Sequence, residues 1–173
     1  MKNLVLIAAV GKNKELGCNN DLIWRFKEDL QYFRKVTMGC YIVMGQRTYY
    51  SLPPTLEGRK YIVISEKNID GVMTFNNLND FLAFAKKTDD LIWVVGGGMI
   101  YSQLLPHCGK MILTEIDASA KADVFFPKFD VSEWNIERGT PQTSPEGIQY
   151  RRNIYTRLPR RFAPPLRKQR GIT

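Results

Sequence analysis

The chain is short of the residues from which hydrolytic and metal chemistry is most often built. It has one histidine, His107, directly after Pro106, and three cysteines, Cys18, Cys40 and Cys108, none in a C-x-x-C pair. An odd, dispersed cysteine set supports neither a disulfide framework nor a zinc site, and an isolated histidine reads as an ordinary surface residue. There is no G-x-S-x-G elbow, no H-E-x-x-H helix and no cluster of metal ligands, which argues against serine-hydrolase and zinc chemistry and leaves no metal expected. No apolar run is long enough to cross a bilayer, and Leu4 to Val10 is too short to insist on a signal peptide. The expectation is a cytoplasmic protein with reduced thiols and no membrane partner.

Acidic residues are missing from one place only. Residues 157–173 hold six of the 25 lysines and arginines and no acid, so the preceding 156 residues carry 19 bases against 17 acids. The formal charge of +8 is therefore a property of the end of the chain. The stretch 158–173 contains Pro159, Pro164 and Pro165 and little apolar periodicity. It reads as a disordered basic tail, more simply a passive extension than a nucleic-acid-binding element. The body, 1–157, is long enough for one well-buried domain.

Within that body, strand-like and helix-like segments alternate. Asn3 to Val10, Tyr41 to Met44, Tyr61 to Ile64, Leu91 to Val95 and Met111 to Ile116 are nearly continuous apolar runs, as in strands buried on both faces. Between them the spacing predicts helices over 26–37, Leu78 to Lys86 and Met99 to Leu105. Such alternation implies an α/β fold with a largely parallel sheet. Trp134 to Arg138 and Gln149 to Arg157, joined by a turn-rich stretch at 140–147, read as an antiparallel hairpin closing the sheet edge.

Two features carry chemistry. On the first helix Phe26, Leu30, Phe33 and Val36 or Thr37 form an apolar stripe, and Asp29 lies inside it. A carboxylate among phenylalanines must be neutralised, bonded or used. It can also simply favour the helix N-terminus or pair with Arg25 one turn earlier. The second feature is Val94-Val95-Gly96-Gly97-Gly98, three glycines where a buried strand meets a helix. Without Cβ atoms they let backbone approach a ligand closely, and the helix start offers N–H groups to an anion such as a diphosphate. The G-x-G-x-x-G fingerprint is not met, because its last position is Tyr101. A similar junction, Met44-Gly45-Gln46-Arg47-Thr48, sets a cation and a hydroxyl after a strand, and two such junctions suit one long diphosphate cofactor.

Leu16-Gly17 through Trp24, Asp29, Phe33, Thr37, Met44-Gly45 with Thr48, Gly58-Arg59-Lys60, the glycine triplet with Tyr101, and Leu113-Thr114-Glu115-Ile116-Asp117 resemble, in that order, the dihydrofolate reductase family. The resemblance spans about residues 2 to 157, and an aspartate at 29 resembles bacterial and phage members. It implies a central, mainly parallel eight-stranded sheet with flanking helices, binding NADPH and dihydrofolate in one cleft as a monomer. By the same resemblance Asp29, supported by Thr114, anchors the pterin 2-amino group and N3. Hydride passes from nicotinamide C4 to pterin C6, and a proton reaches N5 through ordered water. The loop from Gly11 to Trp24, with Leu22 at its tip, shields that transfer. Ile7, Leu30, Phe33, Leu52 and Val95 line the substrate side and Arg59 grips the glutamate α-carboxylate. Ala9, Leu16, Gly17, Arg47, Thr48, Ser65, Gly96, Gly97, Gly98, Met99, Ile100, Tyr101 and Gln103 fall at cofactor positions, Tyr101 also among the catalytic ones, with a cis peptide between Gly96 and Gly97.

Departures from the family pattern matter too. The proline that ordinarily precedes the loop tryptophan is Ile23, which predicts a more mobile or differently closing loop. Where relatives place groups for the adenosine 2′-phosphate, this chain has Gln46, Glu66 and Asn76, which predicts some tolerance of NADH. A riboflavin-pathway reductase of the same fold, or a non-catalytic phage structural or nucleic-acid-binding protein, are the rival readings. Trp24, Asp29 and Arg59 together favour folate.

Overall fold

Six parallel strands form the spine of the molecule, for the reason visible in its first strand. Along β1 (Leu4–Val10), Leu4 and Leu6 face one apolar cluster and Val5 and Ile7 the other. Both faces are covered, so alternation in side-chain direction is not accompanied by alternation in polarity. The structure is a computed structural model that describes residues 1–53 and 56–159; the basic tail expected beyond Pro159 lies outside the described residues.

The remaining spine strands are β4 (Tyr41–Gly45), β5 (Lys60–Ile64), β6 (Met73–Phe75), β7 (Ile92–Gly96) and β8 (Lys110–Ile116). Parallel neighbours need crossovers. The helices α1 (Lys27–Thr37), α2 (Gln46–Ser51), α3 (Leu78–Lys87) and α4 (Gly98–Leu104) lie in all the connections but one, that from β5 to β6, which has no helix. The strands β10 (Trp134–Arg138) and β12 (Gln149–Arg157) add antiparallel, giving the order β10-β12-β8-β1-β7-β4-β5-β6. The two-residue β11 (Gln142–Thr143) joins β12 as a ninth strand. It lies in the stretch expected to be only a turn.

Local chemistry sets the helix ends. In α1, Phe26 is the extended residue before the helix, Glu28 and Asp29 sit in the first turn and Arg34 and Lys35 in the last, each sign matching the helix dipole. In α3, the Asn77 side chain caps the amide of Asp80 at 2.9 Å while Phe81, Leu82 and Ala85 are buried. The glycine triplet starts its helix at Gly98 rather than Met99, and a 3-10 turn at Leu105–His107 continues it.

The loop after β1 is a small sheet, not the open polar loop its sequence suggests. β2 (Glu15–Cys18) pairs with β3 (Asp21–Leu22) and with β9 (Val124–Phe125). Asn19 and Asn20 turn between β2 and β3 with φ of 52° and 60°. A two-residue hairpin turn with both central residues left-handed suits the strand twist, and asparagine accepts that conformation better than most residues.

Candidate active site

The sheet register builds the acid site. Thr114 on β8 is directly opposite Arg152 on β12, so the two share one sheet face, the face crossed by α1. Thr114 Oγ1 donates to Asp29 Oδ1 at 2.5 Å, and Arg152 Nη2 stands 3.1 Å from the same oxygen. No group among the described residues bonds Oδ2. The Arg152 guanidinium carbon lies over Tyr32, 3.7 Å from its ring centre, a favourable cation–π placement. Asp29 does not pair with Arg25, which is taken by Asp21. The sequence reading missed Arg152. Its signal was an inward charge in the alternation Tyr150, Arg152, Ile154, where Tyr150 and Ile154 pack against apolar clusters.

Around this carboxylate the wall is apolar. Ile7, Phe33, Leu52 and Val95 belong to one cluster with Tyr32, and Leu30 is half-buried one turn after Phe26. Further along α1, Arg59 is buried, its guanidinium held by Thr37 Oγ1 at 3.2 Å and by the carbonyls of Glu57 and Arg34 at 2.6 Å each. A guanidinium has five N–H groups. Three are used, and one remains on each terminal nitrogen, the pair a carboxylate takes in a fork.

The two strand-to-helix junctions meet across the sheet. Met44 pairs with Gly96, and a Cβ on Gly97 would stand 3.2 Å from Thr48 Oγ1. Gly96 has φ of 121°, and its peptide to Gly97 is cis. A Cβ on Gly98 would come within 2.7 Å of Val124 Cγ1, so only bare backbone fits this turn. Tyr101 is buried behind it and donates to Ile7 O at 2.8 Å; burial pushes its phenol well up. Ile100 and Leu16 are buried in the main core. Met99, Arg47 and Gln103 are exposed, and Ser65 is buried with its hydroxyl on Gln46 Oε1 at 3.0 Å. Asn76 bonds the carbonyl of Ser65 at 3.1 Å and Asn68 Oδ1 at 3.1 Å.

The hairpin loop is fixed by a second carboxylate. Glu15 is only 2% exposed and accepts from the amides of Asn13 at 2.8 Å and Ala120 at 3.3 Å. Burial alone would raise its carboxyl, but these amides, its own, and the Ser119 hydroxyl hold it below the ordinary range. Trp24 packs with Ala9 and donates from Nε1 to Glu15 O at 3.1 Å, and Asn19 N donates to Asp123 Oδ2 at 3.0 Å. Ile23 N donates to Leu16 O at 3.4 Å, a long contact that a proline could not make. Gly17 pairs with Leu22, which is 58% exposed. His107 stands at the far end of α4, where its carbonyl accepts from the N-terminal amine.

This geometry has relatives. The sequence pattern of the dihydrofolate reductase family matches residues 3–157. The dihydrofolate reductase of Neisseria gonorrhoeae is 34% identical over 87% of this chain and 95% of its own length. That of Bacillus subtilis is 34% identical over 78% of the chain and 83% of its own length. Among solved structures, dihydrofolate reductase from Enterococcus faecalis, complexed with NADP(H) and RAB-propyl, superposes with a TM-score of 0.81 at 26% identity, covering 90% of this chain and 96% of that one. The chain is a member of the dihydrofolate reductase family.

Proposed function

We propose that the chain reduces 7,8-dihydrofolate to tetrahydrofolate with NADPH, as a cytoplasmic monomer. The observation that carries this reading is the Asp29 carboxylate, bonded by Thr114 inside an apolar crevice and open at Oδ2. A flat, donor-rich ring is the complement of such an anchor. The glycine turn suits a dinucleotide, since bare backbone ahead of a helix start lets a diphosphate approach its N–H groups. When bound, the reduced nicotinamide supplies the hydride for pterin C6.

The protein's own groups do the rest. Asp29 presents its remaining oxygen, Oδ2, to the 2-amino and N3 donors and fixes the ring, whose N5 takes its proton from water. Ile7, Leu30, Phe33, Leu52 and Val95 enclose the ring and the aminobenzoyl group, and Arg59 offers its two remaining N–H groups to the glutamate α-carboxylate. Thr48, Ser65, Arg47 and the turn at 96–98 hold the cofactor. Trp24 and Leu22, on the hairpin loop, limit water access.

The cofactor preference is expected to be weakened. Gln46 Oε1 accepts from Ser65 and the Asn76 amide is spent on backbone and Asn68, so neither supplies a cation for a 2′-phosphate, and Glu66 has the wrong sign. At an effective dielectric of about 20, a like charge several Å away costs on the order of a few kcal/mol before screening. Steady-state oxidation of NADPH and of NADH with dihydrofolate tests both statements. Turnover with NADPH supports the activity, and its absence refutes it. A preference of about a thousandfold, or roughly 4 kcal/mol, would refute the relaxed selectivity.

A further inference from the structure

We propose that Arg152 is a specificity-determining residue of the crevice: it makes the anchor a neutral pair, so the crevice favours a protonated ring over a neutral donor-bearing ring less than a lone carboxylate would. The proposal rests on the reductase reading for the identity of the ring. The pairing itself stands on geometry alone.

Two contacts hold the guanidinium in place. Arg152 Nη2 is 3.1 Å from Asp29 Oδ1, and the two side chains are 21% and 19% exposed, sheltered enough that salt screens them weakly. The guanidinium lies over the face of Tyr32. Its Nε is buried without an acceptor. An unpaired buried donor is unfavourable, so the pose is retained by the two contacts it does make, the carboxylate and the ring face. Because Thr114 and Arg152 share Oδ1, the two acceptor directions of that oxygen are occupied and Oδ2 is left for a ligand.

The charges facing the anchor are few. Asp29 and Arg152 cancel. Glu28, next on α1, is exposed. Tyr150, on the same strand face, is kept as a neutral phenol by burial first and then by Glu28 and Asp29, with Arg152 acting the other way. Arg151 lies opposite Glu115 and points to the other side of the sheet. A ligand entering as a cation therefore meets a carboxylate whose attraction is largely offset by a fixed positive charge. A neutral lactam ring loses far less, because its N–H groups need an acceptor rather than a net charge.

The experiment uses folic acid and its 4-amino analogue. They share the aminobenzoylglutamate tail, so contacts at Arg59 cancel, but the diamino ring is the stronger base and binds a carboxylate in its protonated form. Dissociation constants for both are measured by tryptophan fluorescence with the full chain, Arg152→Met, Arg152→Gln and Arg152→Lys, each checked for cooperative thermal unfolding. The expected result is that the ratio of affinities shifts at least tenfold toward the 4-amino analogue in Arg152→Met or Arg152→Gln, and by less than threefold in Arg152→Lys. A merely structural role would move both affinities together. A ratio within threefold of the native one in whichever neutral variant folds overturns the proposal. Native protein that binds neither compound overturns the reductase reading and this proposal with it, whereas native binding with an unshifted ratio sinks this proposal alone.

Discussion

Two sheltered carboxylates in this molecule are handled in opposite ways. Glu15 is almost fully enclosed and satisfied by neutral backbone amides from its own loop and from the segment around Ala120. Asp29 is partly open and satisfied on one oxygen only, by a hydroxyl and a guanidinium from two adjacent strands. The first arrangement uses up the carboxylate in holding backbone together. The second leaves one oxygen without a partner among the described residues, which on the proposed function is the oxygen that meets the ring.

Replacing each acid by its amide should separate the two roles. Asp29→Asn keeps the volume and removes the anionic anchor, so turnover with dihydrofolate should fall by about 10²–10⁴ at neutral pH, the range of a lost charged catalytic group. Circular dichroism should remain native. A rate near that of the native protein would break the distinction at its functional end, by showing that the ring needs no anionic anchor.

Arg59 extends the comparison to a cation, since it combines both behaviours: three N–H groups are spent on the protein and two remain. Arg59→Lys cannot reproduce the planar fork. Losing one charge-assisted bond worth about 1.5–3 kcal/mol should raise the KM for dihydrofolate on the order of ten- to a hundredfold, with kcat changed much less. An unchanged KM would mean the two remaining groups do not meet the substrate.

The smallest effect on chemistry is expected at Glu15. Glu15→Gln turns an acceptor into a donor facing other donors and should cost about 1–3 kcal/mol of stability, read from urea unfolding. Because hydrogen bonds hold the Glu15 carboxyl below its ordinary value of 4.5, its contribution is fully present above that pH and is lost as pH falls through the lower folded value. The stability gap between the native chain and the variant should therefore narrow below pH 4.5. A gap that widens there would contradict the clamp.

What could be read in the sequence followed burial. Five of the six spine strands announce themselves because both faces are covered, and α1 because Phe26, Leu30 and Phe33 repeat at helical spacing, their ends differing from expectation by a residue or so; the three-residue edge strand β6, half-buried to exposed, carries too little pattern and was not expected. The sheet of β2, β3 and β9 was not legible, since strands of two to four residues carry too little pattern. Only the Asn19-Asn20 pair hinted at a hairpin. At the site, Asp29 stood out by itself and Thr114 through family resemblance. Arg152 did not, because its role depends on register: a slip of one residue would put Arg151 opposite Thr114 and turn the present pair apart.

The Asp29–Arg152 contact joins residues 123 positions apart, linking an early helix to the last strand described. A nascent chain emerging from the ribosome would have its glycine turn and most of its apolar wall in hand long before this strand arrived. The anchor is thus completed late in folding, as closures across long sequence separations generally are, and a ring bound there would act as a latch on the finished molecule. Compounds that fill the crevice should on that account raise the resistance of the whole domain to proteolysis, including β10 and β12 at the sheet edge.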